Sequence, residues 1–129
     1  LDDLKTTEGV VAVCKEDVPC GTIAHQELKK HDITLKNATT ESKVTDVATK
    51  VTTGNADAGF IYTTDLAAAK KKGANLGSVE LTDVERNEYP AALSKTGSSS
   101  EAAKKFNEWL KSSDEAKKIL TDYGFSTAK

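Results

Sequence analysis

Short apolar runs and amphipathic segments take turns along most of this sequence, and that alternation limits the fold more than any other feature. Val10, Val11, Ala12 and Val13 form a β-prone run behind a helical-looking Asp2–Lys5 segment and Gly9. A loop over Lys15–Gly21 follows, and Ile23, Ala24 and Leu28 predict a short helix closing near His31. Ile33–Leu35 reads as a second strand. Val44, Val47, Ala48 and Val51 fall at i, i+3, i+4 and i+7, which predicts a helix opening at Thr40–Ser42 and stopping at Gly54. Ala58–Tyr62 reads as a buried strand, Thr64–Lys72 as an alanine-rich helix ending at Gly73, and Leu76–Leu81 as another strand. Strands alternating with helices point to an α/β sheet covered on both faces.

The pattern changes beyond a polar stretch, Thr82–Tyr89, which reads as a hinge. Glu88–Leu93 is a candidate strand, although Pro90 restricts it to an edge or a crossing segment. Ser98-Ser99-Ser100-Glu101 and Ser112-Ser113-Asp114-Glu115 both fit the capping-box pattern. The first precedes Ala102, Phe106, Trp109 and Leu110; the second precedes Ala116, Ile119, Leu120 and Tyr123. Two amphipathic helices are therefore predicted, with Gly124 as the final stop. The expected division is residues 1–86 as one α/β body and residues 87–129 as a crossing strand and two helices.

A length of 129 residues accommodates one domain, or one domain plus part of another. The net charge is −2, Arg86 is the single arginine, and aromatics make up only 5% of the chain, which argues against a nucleic-acid platform. Lys70-Lys71-Lys72, the one basic run, suits a solvated helix end, where cations complement the macrodipole. No apolar stretch approaches the roughly 20 residues of a membrane span. The chain opens on Leu1 rather than Met, as a processed or trimmed product would.

Four motifs stand in order along the chain: Val18-Pro19-Cys20-Gly21, Gly59-Phe60-Ile61-Tyr62, Glu88-Tyr89-Pro90-Ala91 and Tyr123-Gly124-Phe125. In this order and spacing they resemble the molybdate-binding solute-binding proteins of ABC importers. The resemblance implies a periplasmic-binding-protein-like α/β fold of type II, comprising the second lobe plus the returning C-terminal helices that normally pack on the first lobe. It also implies capture of a tetrahedral oxyanion, molybdate or tungstate, outside the membrane for delivery to an ABC permease. That location would be the periplasm or the cell surface as a lipoprotein. No catalysis, no cofactor, no free metal cation and no nucleic-acid partner is expected. With the first lobe's two serine-containing contacts missing, only half a site is expected here, and the unpaired helical faces are expected to drive self-association.

The resemblance assigns three oxyanion-binding positions. Cys20 matches a backbone N–H donor at the start of a helix, where the family usually has alanine. Val44 matches a second backbone N–H near the start of the next helix, and Tyr62 matches a tyrosine whose phenol reaches the anion. Helix N-termini suit this task because their first N–H groups are unpaired and the dipole favours negative charge. Taken singly, Val44 is a core position, Tyr62 a strand tyrosine with a satisfied hydroxyl, and Cys20-Gly21 a loop-to-helix turn.

Cys14 and Cys20 have neither C-x-x-C nor zinc-ligand spacing. If Cys14 ends a strand and Cys20 starts a helix, the loop can bring the sulfurs together, and an extracytoplasmic location would permit a disulfide. Two free buried thiols or a redox pair are the alternatives. His25 and His31 lie in a Lys- and Glu-rich helix and read as solvated. Rival functions are a ligand-sensing effector domain of a regulator, a thiol oxidoreductase using Cys14 and Cys20, and, within the same class, a sulfate or phosphate binder.

Overall fold

Val11, Ala12, Val13 and Cys14 are each exposed by 2% or less in the computed structural model, which describes residues 1–126. Burial of consecutive residues means that both faces of the strand are covered. This strand, β1 (Val11–Cys14), is the centre of a three-stranded parallel sheet ordered β2-β1-β3, with β2 at Ala38–Glu41 and β3 at Ala58–Gly59. Val11 stands opposite Ala38 on one side and Ala58 on the other. Three helices follow the three strands: α1 (Pro19–Lys30), α2 (Val44–Thr52) and α3 (Thr63–Lys71).

The chain leaves the central strand for one edge and then returns past it to the other. Right-handed crossovers then place α1 and α2 on opposite faces of the sheet. Ala12 and Cys14 share one face and join Val47 and Ala56 in a buried cluster, with Val51 and Ile61 packed against it. Gly59 permits this packing. A β-carbon there would come within 2.8 Å of a Val47 methyl and 2.9 Å of a Val51 methyl.

Two of the strands predicted before residue 86 are absent. Ile33 instead closes α1: its N–H donates to the Leu28 carbonyl at 2.8 Å while Asp32 adopts φ 52° and donates to Lys29 at 3.1 Å. This is a Schellman end whose apolar partners, Leu28 and Ile33, are both buried. The second strand forms later, from the polar Ala38–Glu41. Leu76–Leu81 pairs with nothing as a strand, and Val79 is exposed. β3 pairs over Ala58–Gly59 only, so the predicted Ala58–Tyr62 strand is cut short by the entry to α3.

Leu1–Arg86 forms one compact unit, and a second begins at Asn87. In the second, Glu88–Leu93 is not a strand; a 3-10 turn at Gly97–Ser99 precedes α4 (Glu101–Ser112) and α5 (Asp114–Asp122). Ser100 and Ser113 are the N-caps, accepting from the Ala103 and Ala116 N–H groups at 3.3 and 3.4 Å. Glu101 therefore falls at the first helical position, where it pairs with Lys104, and the predicted boxes do not form: the caps are Ser100 and Ser113 rather than Ser98 and Ser112, with Ala103 and Ala116 at the third helical position. Tyr89 meets Phe125 edge-on at 5.5 Å, and Phe106 stacks on Trp109 at 5.7 Å. Among the described residues no helix is long and apolar enough to cross a membrane.

Candidate functional site

In a parallel sheet every strand ends at the same edge, and each of the three helices here starts there. Ligands in open α/β sheets bind outside that carboxyl edge, where the strand order reverses. Here the reversal lies at β1, between β2 and β3. All three candidate residues stand at this edge: Cys20 is the second residue of α1, Val44 the first of α2, and Tyr62 the N-cap of α3. Cys20 and Val44 pack against the same cluster as Ile61, the neighbour of Tyr62.

The start of α1 is the most heavily fixed of the three. Cys14 and Cys20 form a disulfide with their Cα atoms 5.8 Å apart, tying the last residue of β1 to the first turn of the helix. Gly21 is buried against that strand end, where a β-carbon would collide with the Lys15 carbonyl oxygen. Only glycine fits there. Thr22 Oγ1 donates to the Glu16 carbonyl at 2.9 Å, and Lys15 N–H donates to Glu41 at 2.8 Å. His25 is not the solvated residue expected; half-buried, its Nε2 lies 3.3 Å from the Cys14 carbonyl oxygen. Gly21 and His25 are one helical turn apart and clamp the same strand end from one face of α1.

The three helix starts differ in charge. α1 has no side-chain cap and no acid in its first turn, Asp17 lying just before its N-cap. α2 also lacks a side-chain cap, but carries Asp46 in its first turn. α3 carries Asp65, whose pKa is raised by burial despite its bonds from the backbone N–H groups of Tyr62 and of Asp65 itself. At the end of β2, Glu41 pairs with Lys50 at 2.7 Å, and that hydrogen bond holds its carboxyl below the ordinary range. Sequence reading missed Gly21's packing role, His25 and Asp65. The i, i+4 spacing of Gly21 and His25 was the available signal, but it acquires meaning only once β1 is known to lie beneath.

Two hollows lie elsewhere in the first unit. An open groove of about 480 Å³ runs between α2 and α3, from Thr45 and Asp65 to Thr52 and Gly73. The other adjoins the C-terminal end of α1. There Lys30 pairs with Asp83 at 2.6 Å and with the buried Glu27 at 3.6 Å. No group of three or more His, Cys, Asp or Glu residues placed to hold a metal occurs among the described residues.

Comparison with known proteins adds to this geometry. The sequence profile of the bacterial extracellular solute-binding proteins matches residues 1–126. A Bacillus subtilis protein provisionally named ABC transporter substrate-binding lipoprotein YvgL is 32% identical over 98% of this chain and 49% of its own length. The molybdate-binding proteins ModA of Mycobacterium bovis and Mycobacterium tuberculosis are each 33% identical over 90% of this chain and 44% of theirs. The chain thus spans about half the length of the curated relatives it matches. No solved structure gives a significant match.

Proposed function

This chain belongs to the bacterial extracellular solute-binding protein family, and from that membership we propose that it carries half of an oxyanion site in a protein serving an ABC permease outside the membrane. The cargo in this reading is a tetrahedral dianion, molybdate or tungstate. The backbone N–H groups of Cys20 and Val44 and the phenol O–H of Tyr62 are its donors on this side. Relatives named for molybdate support the choice of anion. The observation that carries the reading is the start of α1, an uncapped, acid-free helix terminus fixed to the carboxyl end of the central strand. Neutral donors held in place bind a dianion without a countercharge, and the two backbone N–H groups offer no acceptor to a protonated one.

In the same reading residues 1–86 are the second lobe of a type II binding fold. The helices from residue 87 on return to a first lobe, which closes over the anion and presents the closed form to the permease. A regulator's effector domain and a thiol oxidoreductase have no support in the family match. Sulfate and phosphate are competitors to be separated by measurement.

Three or four hydrogen bonds on a surface open to water are each worth about 1 kcal/mol or a little more, which gives binding in the millimolar range. Titration followed by amide NMR reads that range. Molybdate is expected to shift the amides of Cys20, Gly21 and Val44 at lower concentration than sulfate or phosphate does. A spectrum indifferent to all three anions, or one in which a neutral solute moves these amides, overturns the reading.

A further inference from the structure

The two sulfurs of the disulfide sit in different surroundings. Cys14 is completely buried at the end of β1, whereas Cys20 is half-buried in the first turn of α1. As a disulfide neither sulfur carries charge. Once reduced, Cys20 is a thiol at a helix N-terminus, a position that favours the thiolate. Nothing in that turn competes with it, since the N-cap Val18 offers no side-chain oxygen and no acid is present. Pro19 has no N–H and the Gly21 N–H donates to the Val18 carbonyl, so a thiolate there would share the Cys20 N–H and the helix dipole with an incoming oxyanion, and it would repel a dianion at short range.

We propose that Cys14 and Cys20 form a redox gate on the anion-binding end of α1, open as the disulfide and closed as the Cys20 thiolate. The gate rests on the oxyanion reading above. A dithiol supplies the two electrons. Its thiolate attacks the Sγ of Cys20, the less buried of the two residues; the protein S–S bond breaks, and Cys14 leaves as thiolate and takes up a proton. The second thiol of the reductant then displaces Cys20 from the mixed disulfide, closing the reductant's own disulfide and leaving Cys20 as thiolate. Gly21 and His25 still seat α1 on the strand end, so the gate acts through charge and leaves the fold in place.

The test is a titration of this chain with sodium molybdate at constant ionic strength, followed by the amides of Cys20, Gly21 and Val44. Four forms are compared: oxidised, reduced with dithiothreitol, Cys14→Ala, and Cys14→Ala capped at Cys20. Reduction and Cys14→Ala should each raise the apparent Kd about five-fold, the size of effect a charge has at a helix terminus. Capping Cys20 with methyl methanethiosulfonate, which leaves a neutral methylthio group, should restore the affinity. Capping with iodoacetate, which leaves a carboxylate, should not. Because Cys14→Ala can loosen β1, the amides of Val11, Val13 and Leu28 are followed in the same spectra, and the reduced wild-type chain gives the same readout with Cys14 in place. Equal affinity in the oxidised and reduced forms overturns the gate, as does a neutral cap that restores nothing. Absence of any molybdate response in the oxidised form overturns the oxyanion reading itself, and the gate falls with it.

Discussion

Both units of this chain present apolar residues at helical spacing, yet they use them differently. In the first, α2 turns Val47 onto a sheet and buries it completely, with Ala12, Cys14 and Ala56 around it. In the second, α4 and α5 pack together, but Ala116 is the one buried residue among those described, while Phe106, Ile119 and Tyr123 are 60%, 44% and 57% exposed. The caps are better in the second unit, where Ser100 and Ser113 accept from the helix while α1, α2 and α3 have no side-chain cap. Capping and amphipathicity thus make a helix without supplying anything to bury it against. The sheet does that for the first unit, and the uncapped starts it tolerates are the ones available to a ligand.

If this contrast is sound, core substitutions separate the units by the widest margin. Gly21→Ala has no room beside the Lys15 carbonyl and must push α1 off the strand end, at a cost of about 3 kcal/mol. Val47→Ala leaves a cavity under α2 and should cost about 2 kcal/mol. Phe106→Ala removes an exposed ring whose contact is the stack on Trp109, and should cost about 0.5 kcal/mol. Urea unfolding of the three variants orders them directly. A Phe106→Ala loss as large as that of Val47→Ala would mean that the second unit has a core of its own in solution.

The exposed faces of α4 and α5 give the next effect. Apolar surface left open on a helical pair associates, so sedimentation velocity across a concentration series should show self-association of this chain. Phe106→Glu should weaken it about ten-fold, the worth of burying one large side chain. A chain that stays monomeric to millimolar concentration, with protected amides throughout α4 and α5, breaks the comparison at its weaker end.

Much of this was legible in the sequence, and the misses have a physical pattern. α2 was read from Val44, Val47, Ala48 and Val51, whose period matches the face that meets the sheet. The strand at Ala38–Glu41 was missed because an edge strand can be built from Ala-Thr-Thr-Glu, its pairing supplied by β1. Ile33 drew the prediction instead, since an apolar residue that closes a Schellman end carries the same signal as one that opens a strand. The candidate site was legible only through the motif resemblance. Cys20 and Val44 each look like ordinary local structure until parallel pairing brings three strand ends to one edge.

Asp32 offers a smaller test on the first unit. It holds φ 52° where the other Schellman ends, at Gly54, Gly73 and Gly124, have glycine. Asp32→Gly should relieve that strain and add about 0.5 kcal/mol of stability, part of the relief being lost to the freer unfolded chain. Thermal melts at matched concentration would detect it, and a lower Tm would show that the Asp32 side chain contributes more than its backbone costs.

The smallest effect lies in two carboxyls at the strand-end edge, which the structure moves in opposite directions. Lys50 donates to Glu41 and lowers its pKa, so the stability this pair supplies is present above the ordinary glutamate range and is lost as pH falls through the folded value. Burial raises Asp65, so its contribution runs the other way: it is fully present below the unfolded aspartate value and is lost as pH rises through the folded one. An isolated Asp normally titrates below an isolated Glu; here that gap should narrow or invert. Carbon-detected NMR of the side-chain carboxyls reads both sites in one series. Lys50→Gln should move Glu41 back up and leave Asp65 where it is, because the first shift comes from a partner and the second from desolvation. Should Asp65 instead titrate at or below its unfolded value, the start of α3 would be open to water and its ionised carboxylate would compensate that helix terminus, leaving α1 as the start at this edge with no acid in its first turn.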